Sequence, residues 1–175
     1  MEKKHLILIG FMGSGKSTVG KALAKELNLT FVDTDKLIEQ KQGMSISNIF
    51  KRLGEEVFRQ METELLMELK KETKPLLIST GGGLPLKDGN ACLLKNMGLV
   101  VFLDVNKYTV IKRLKKDTTR PLLQGDNVEE KVEALLKKRE PKYREAADIM
   151  LDVNGCTIDE IVQQISNTYL SNGLC

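Results

Sequence analysis

The chain has 175 residues, of which 41% are hydrophobic and 29% charged, and its formal net charge is +3. This length predicts a single domain with a substantial core. The 27 basic residues are interleaved with 24 acidic ones, which argues against a nucleic-acid surface. No apolar run is as long as the stretch of about 20 residues that a membrane-spanning helix needs. Three widely spaced cysteines indicate neither a disulfide framework nor a zinc site, and we expect a cytoplasmic protein.

Short apolar runs alternate with amphipathic segments along the chain. Buried strands are predicted at 5–10, 29–33, 75–80, 99–104 and 148–153. Helices are predicted at 16–27, 45–53 and 54–72, after the glycines 81–83, at 128–140, and at 157–170 with Thr157 as N-cap. A core-facing stripe is predicted within 54–72 at Val57, Phe58, Met61, Leu65 and Leu69. This alternation favours a parallel sheet covered on both faces, with ligands at the carboxyl ends of its strands.

The stretch GFMGSGKST at residues 10–18 follows the first predicted strand. It matches the phosphate-loop pattern G-x-x-x-x-G-K-[ST], in which backbone N–H groups converge on phosphate oxygens. Lys16 is expected to reach the outer phosphates, and the Ser17 hydroxyl is expected to bind Mg²⁺. The alternative is a glycine-rich turn with no ligand. We predict nucleotide binding by Gly13, Ser14, Gly15, Lys16, Ser17 and Thr18.

A phosphate loop occurs in GTPases, motors and small-molecule kinases alike. A GTPase usually carries N-K-x-D to recognise guanine, but residues 106–109 read NKYT, with Thr109 in place of the aspartate. A motor normally needs a larger chain and an apolar strand that ends in an acidic pair. A small-molecule kinase is therefore favoured.

Two carboxylates follow the second predicted strand, in the stretch FVDTD. Asp33 and Asp35 lie two residues apart, so they share a face if the chain stays extended. Phosphoryl transfer needs a metal-side group and a group that orients the attacking hydroxyl and takes its proton. The alternative is that one of them only caps a helix starting near Lys36.

Six segments together resemble the shikimate kinase family over nearly the whole chain. They are GFMGSGKSTVGKALA at 10–24, DTD at 33–35, GEEVFRQME at 54–62, STGGG at 79–83, RPLL at 120–123 and KREPKYRE at 138–145. The resemblance implies an α/β P-loop kinase of the nucleoside-monophosphate-kinase type, with a five-stranded parallel sheet flanked by helices. It implies one domain over 1–175, with a shikimate-binding insert at 34–62 and a mobile lid at 113–126.

The same resemblance implies the reaction and the partners. The γ-phosphoryl of MgATP, with one Mg²⁺ per subunit, passes to the 3-hydroxyl of shikimate, a step towards chorismate and the aromatic amino acids. The implied protein is monomeric and binds neither nucleic acid nor membrane.

Roles for individual residues also come from the resemblance. Asp35 holds the shikimate hydroxyls and acts as base, and Asp33 serves the Mg²⁺ side through bound water. Arginines at 59 and 139 hold the substrate carboxylate, and the backbone of Gly82, within Gly81–Gly83, approaches the substrate. Arg120 closes on the phosphates with help from Arg113. The residues expected to carry catalysis are Lys16, Asp35 and Arg120.

Plainer interpretations remain open for several of these residues. Arg59 has the spacing for a surface ion pair with Glu55 or Glu62, Arg139 lies in the basic run KKRE, and residues 81–83 could form an ordinary turn. Phe50 and Phe58 are expected to pack and to wall the acceptor pocket. The rival functions are a gluconate kinase, a nucleoside-monophosphate kinase and a non-catalytic nucleotide-binding regulator.

Overall fold

A computed structural model describes residues 4–114 and 127–172. Its strands are β1 (His5–Ile9), β2 (Thr30–Asp33), β3 (Leu76–Ser79), β4 (Gly98–Asp104) and β5 (Ile149–Asp152). Its helices are α1 (Lys16–Glu26), α2 (Thr34–Gln42), α3 (Ile46–Leu53), α4 (Glu55–Leu69), α5 (Asn90–Met97), α6 (Lys107–Leu114), α7 (Val128–Ala146) and α8 (Ile158–Ser171). A 3₁₀ turn spans Leu84–Leu86.

The strands form one sheet in the order β2-β3-β1-β4-β5, and every neighbouring pair is parallel. The predicted five-stranded parallel sheet is therefore confirmed. β1 lies at the centre and all its residues are buried, because helices cover both faces of a parallel sheet. The edge strands are less covered than predicted. Thr30 in β2 and Met150 in β5 are exposed, since an edge strand has a neighbour on one side only.

Three helical details differ from the sequence prediction. Helix α6 was not predicted, and α7 continues past residue 140 and through Pro141, because Tyr143 and Ala146 are buried beyond that point. In α4, Phe58, Leu65 and Leu69 are buried as predicted, whereas Val57 is 40% exposed. Val57 is turned about 100° around the helix from Phe58, which places it outside the buried stripe.

The carboxyl ends of β1, β2 and β3 meet at one edge of the sheet. β1 leads into the phosphate loop, β2 leads directly into α2, and β3 leads into the glycines at 81–83. The segments that carry the predicted chemistry therefore start side by side. Among the helices of the described ranges, none is both long and apolar enough to cross a bilayer.

Candidate active site

The phosphate loop curls between β1 and α1, and two of its glycines are required by its geometry. Gly10 has φ +145°, and a Cβ there would lie 2.8 Å from the carbonyl oxygen of Leu103. Gly15 has φ +95°, in the left-handed region that favours glycine. A turn closes the loop, with the Ser14 N–H donating to Phe11 O at 3.1 Å. α1 begins immediately afterwards, so its positive N-terminal end faces the loop.

Lys16 sits inside this loop with 8% of its surface exposed. Its Nζ donates to the carbonyl oxygens of Gly10 at 2.8 Å and Phe11 at 2.9 Å, and contacts Ser14 Oγ at 3.4 Å. A buried ammonium needs such acceptors to offset its desolvation. The contacts hold a positive charge in the position predicted for phosphate binding.

Asp33 caps α2, as one of the two alternatives proposed, and it also contacts the phosphate loop. Its Oδ1 accepts from Lys36 N at 3.3 Å and caps α2, and its Oδ2 accepts from Ser17 Oγ at 2.9 Å. The assumption that the chain stays extended to Asp35 is wrong, because α2 begins at Thr34. Asp33 ends a strand, whereas Asp35 lies in the first turn of a helix.

Despite this, both carboxylates line the same cleft, of about 170 Å³, beside the phosphate loop. The cleft is lined by Met12, Gly13, Gly15, Lys16, Ser17, Thr18, Asp33, Asp35, Ser79, Thr80 and Gly82. It thus brings together most of the predicted nucleotide-binding residues, both candidate metal-side groups, the candidate base and one glycine of the 81–83 run. Hard oxygen donors beside a phosphate loop are the groups that Mg²⁺ prefers.

The glycines at 81–83 form the turn after β3 and are packed against neighbouring side chains. The Gly81 N–H donates to Thr34 Oγ1 at 2.9 Å. A Cβ at Gly81 would overlap Asp35 Oδ1, and a Cβ at Gly83 would overlap the guanidinium of Arg59. Asp35 and Arg59 thus approach two of the three glycines closely.

Arg59 makes the ion pairs that its spacing suggested, and its guanidinium also lies against Gly83. Its Nη1 donates to Glu62 Oε2 at 2.7 Å and its Nη2 donates to Glu55 Oε1 at 3.0 Å. The Arg59 side chain is only 19% exposed and that of Glu62 only 1%. The Phe50 and Phe58 rings pack at 5.0 Å and lie 6.0 and 5.3 Å from the guanidinium. Neither ring is among the residues that line the cleft.

Glu62 is a buried carboxylate near Gly81 that the sequence analysis treated only as an ion-pair partner. Burial raises the pKa of its carboxyl group to about 7, Arg59 opposes this rise, and the negative charges of Asp35 and Glu55 add to it. The sequence signal was its position three residues after Arg59, on the same face of a helix. Its contact with the glycine run depends on tertiary structure, which spacing alone does not show.

Arg139 and Tyr143 frame the other side of the glycine run. The Arg139 guanidinium lies 5.6 Å from the centre of the Phe11 ring. Tyr143 Oη donates to Gly82 O at 2.6 Å. Burial raises the pKa of Tyr143 to about 12, while Arg139 acts against this rise through its charge and a side-chain hydrogen bond. Tyr143 was missed, although it follows Arg139 by four residues and so shares its helical face.

The two remaining predicted residues are Arg113 and Arg120, which were expected to act on the phosphates. Arg113, on α6, donates from Nη1 to Gly13 O at 2.9 Å, which places it at the phosphate loop as expected. Residues 115–126, with Arg120 among them, lie outside the described residues.

A larger cavity, of about 280 Å³, lies beyond Phe11 and Tyr143, between the end of β4 and α7. None of the residues assigned above to substrate, nucleotide or metal lines it within the described ranges. It shares no lining residue with the cleft at the phosphate loop.

The parallel sheet order, the lysine-bearing phosphate loop and the adjacent carboxylates define a P-loop kinase of the nucleoside-monophosphate-kinase type. The family model described as shikimate kinase matches residues 12–170. The chain belongs to the shikimate kinase family, as its sequence motifs indicated.

Similar proteins match this chain over nearly its whole length and nearly all of their own. A shikimate kinase of Thermodesulfovibrio yellowstonii is 45% identical over 172 residues, which cover 97% of this chain and 98% of that protein. One from Francisella tularensis subsp. novicida is 44% identical over 167 residues, or 95% and 94% of the two chains. The solved shikimate kinase from Acinetobacter baumannii, in complex with shikimate, superposes with a TM-score of 0.90 at 41% identity and covers 98% and 96%.

Proposed function

We propose that this chain transfers the γ-phosphoryl group of ATP to the 3-hydroxyl of shikimate. The observation that carries the proposal is a cleft that joins a phosphate loop to the carboxylate of Asp35, with Arg59 against the adjoining Gly83 and Arg139 beside Tyr143, which is bonded to Gly82. Shikimate has one carboxylate and several hydroxyls, which such groups complement. A relative that is 41% identical was solved in complex with shikimate.

The loop would bind the triphosphate through its backbone N–H groups and through Lys16. The ammonium exchanges the carbonyl oxygens of Gly10 and Phe11, its present acceptors, for the more strongly charged phosphate oxygens. Arg113, which donates a hydrogen bond to Gly13 O, would add a second cation at the same loop. The helix dipole of α1 acts in the same direction.

The residues beside the loop fit a magnesium ion. Ser17 Oγ and Asp33 Oδ2 are 2.9 Å apart, and hydroxyl and carboxylate oxygens suit this hard cation. We propose that Ser17 binds the ion and that Asp33 holds it through water. When bound, Mg²⁺ neutralises charge on the outer phosphates.

The acceptor would lie against the segment 34–62 and the glycine run. Among the described residues, three N–H groups of Arg59 engage Glu55 and Glu62, so two of its five remain for a carboxylate. Arg139, which is hydrogen-bonded to Tyr143 and lies over the Phe11 ring, supplies the second guanidinium. Planar guanidinium groups bind a carboxylate bidentately, which lysine does not do.

Asp35 is the group placed to act on the attacking hydroxyl. It lines the cleft with Lys16 and Ser17 and lies against Gly81. In the reaction it would accept the proton of the 3-hydroxyl as that oxygen bonds to the γ-phosphorus and ADP leaves.

We propose that residues 113–126 close over the site, because exclusion of water suppresses hydrolysis of ATP. The protein is proposed to work as a cytoplasmic monomer.

Kinetics of two variants test this assignment. Asp35→Asn should lower kcat by about 10²–10⁴-fold, the usual contribution of a positioned general base. Arg139→Ala should chiefly raise the KM for shikimate, because it removes a carboxylate ligand. Arg144→Ala is the matched control for the second variant. Arg144 lies on the same helix, is 45% exposed and pairs with Glu140, so both KM values should stay unchanged. An Arg139 variant that loses only ATP affinity would contradict the proposal.

A further inference from the structure

Glu62 is a buried carboxylate between the two groups that meet the acceptor. Its Oε2 accepts a hydrogen bond from Arg59 Nη1. Its Oε1 is buried without a hydrogen-bond partner among residues 4–114 and 127–172. That oxygen lies 3.0 Å from the position of a Cβ at Gly81, the same position that Asp35 Oδ1 overlaps. Glu62 therefore borders both the arginine and the candidate base.

Charges of both signs surround Glu62. Arg59 is the cation that stabilises its ionised form, but Glu55 shares that guanidinium. Asp35, at the start of α2, adds a negative charge that favours the protonated form. Phe50 of α3 packs on the guanidinium, and α5 contributes an amide to Thr63. One further cation, Lys87, meets this part of α4, where it pairs with Glu56 and donates to Gln60. Burial raises the pKa of Glu62, Arg59 opposes the rise, and Asp35 and Glu55 add to it, so that the pKa is about 7.

An acidic acceptor would change the charges around Glu62. Its carboxylate on Arg59 is a third negative group sharing one guanidinium, and its ring excludes water from the cleft. Both effects disfavour a charged Glu62. We propose that Glu62 takes up one proton from solvent when shikimate binds and returns it when the product leaves. The inference rests on the proposed function, because it needs a carboxylate ligand at Arg59.

Proton uptake would also serve the chemistry. A neutral Glu62 removes a like charge from beside Asp35, which is then left as the negative group facing the hydroxyl. It also leaves more of the Arg59 charge to the substrate carboxylate. Glu62 is thus a positioning residue that acts through Arg59 and Asp35, and its signature is a pH dependence of shikimate binding.

Titration calorimetry in two buffers of different ionisation enthalpy measures this uptake directly. If binding raises the pKa of Glu62 by about one unit, the wild-type protein should take up about half a proton per shikimate near pH 7.5. The Kd for shikimate should then rise about eightfold from about pH 6 to pH 9. Glu62→Gln should abolish both effects. Glu55→Gln, which alters the other carboxylate on the same guanidinium, should retain them.

Each outcome has a distinct meaning. Absence of shikimate binding in both buffers would refute the proposed function. Binding without proton uptake in the wild-type protein would overturn this inference alone, and so would uptake that persists in a folded Glu62→Gln protein. If that variant does not fold, infrared difference spectra of the wild-type protein show whether a carboxyl group is protonated when shikimate binds. Shikimate should produce the carbonyl band of a newly protonated carboxyl group, and its absence would overturn the inference.

Discussion

Replacement of Glu62 by glutamine should change how the stability of the protein depends on pH. The carboxyl group has a pKa of about 7 in the folded protein, against an ordinary value of 4.5. The folded state thus binds this proton more tightly than the unfolded chain. The associated stability is fully present below about pH 4.5 and is lost as the pH rises through about 7. Glutamine keeps the shape of the protonated group and has no charge to acquire.

The size of the effect follows from the same two values. Their difference is about 2.5 pH units (7 − 4.5), which at about 1.36 kcal/mol each amounts to a loss of about 3 kcal/mol. About 2.5 kcal/mol of this loss falls between about pH 5 and pH 8. The side chain is only 1% exposed, so solvent screening reduces the effect little. Relative to Glu62→Gln, the wild-type protein should lose this free energy of unfolding over that interval.

Urea unfolding followed by circular dichroism, at several pH values in this range, measures the difference. Other titrating groups act on both proteins and cancel in the comparison. Glu55→Gln is the control, because Glu55 binds the same guanidinium but is 65% exposed. Its free energy of unfolding should run parallel to that of the wild-type protein. Parallel curves for wild type and Glu62→Gln would refute the role of burial given to this carboxyl group.

Three further changes probe the loop and the glycine run. Lys16→Ala should lower kcat at least about 100-fold, since it removes the cation on the outer phosphates, and an unchanged rate would exclude Lys16 from the mechanism. Tyr143→Phe removes the donor to Gly82 O. It should cost about 1–2 kcal/mol of stability in urea unfolding and raise the KM for shikimate but not for ATP. Gly81→Ala should lower stability by about 1–3 kcal/mol, because its methyl group meets Asp35. Gly82→Ala, with nearest atoms at 3.5 Å, should cost clearly less, and equal thermal stabilities would contradict this packing.

The sequence predicted the parts of the site that are encoded locally. The phosphate loop needs glycines and a lysine at fixed spacing within one turn, so Gly10 and Lys16 could be placed without tertiary information. Residues spaced along one helix, such as Arg59 and Glu55, were also recognisable. Alternation of strands and helices indicated the parallel sheet, but it did not reveal α6 or the continuation of α7.

Contacts between distant segments were not accessible in this way. The bond from Tyr143 to Gly82 joins residues 61 positions apart. The approach of Glu62 to the glycine run depends on how α4 packs against α2 and against the 3₁₀ turn that follows the glycines. Local spacing also misled at Asp35, because the chain turns into a helix immediately after Asp33. The pairing of the two carboxylates in one cleft results from the sheet edge, not from an extended strand.

Turnover with a panel of acceptors tests the central claim most directly. The protein, given MgATP, is offered shikimate, gluconate and AMP in turn, release of ADP is followed, and the phosphorylated product is located by NMR. Rapid ADP release should occur with shikimate alone, and the new phosphate should be on the 3-hydroxyl. Equal turnover of gluconate or AMP, or no turnover of shikimate by folded protein, would contradict the assignment of Arg59, Arg139 and Asp35 to a hydroxylated carboxylic acid.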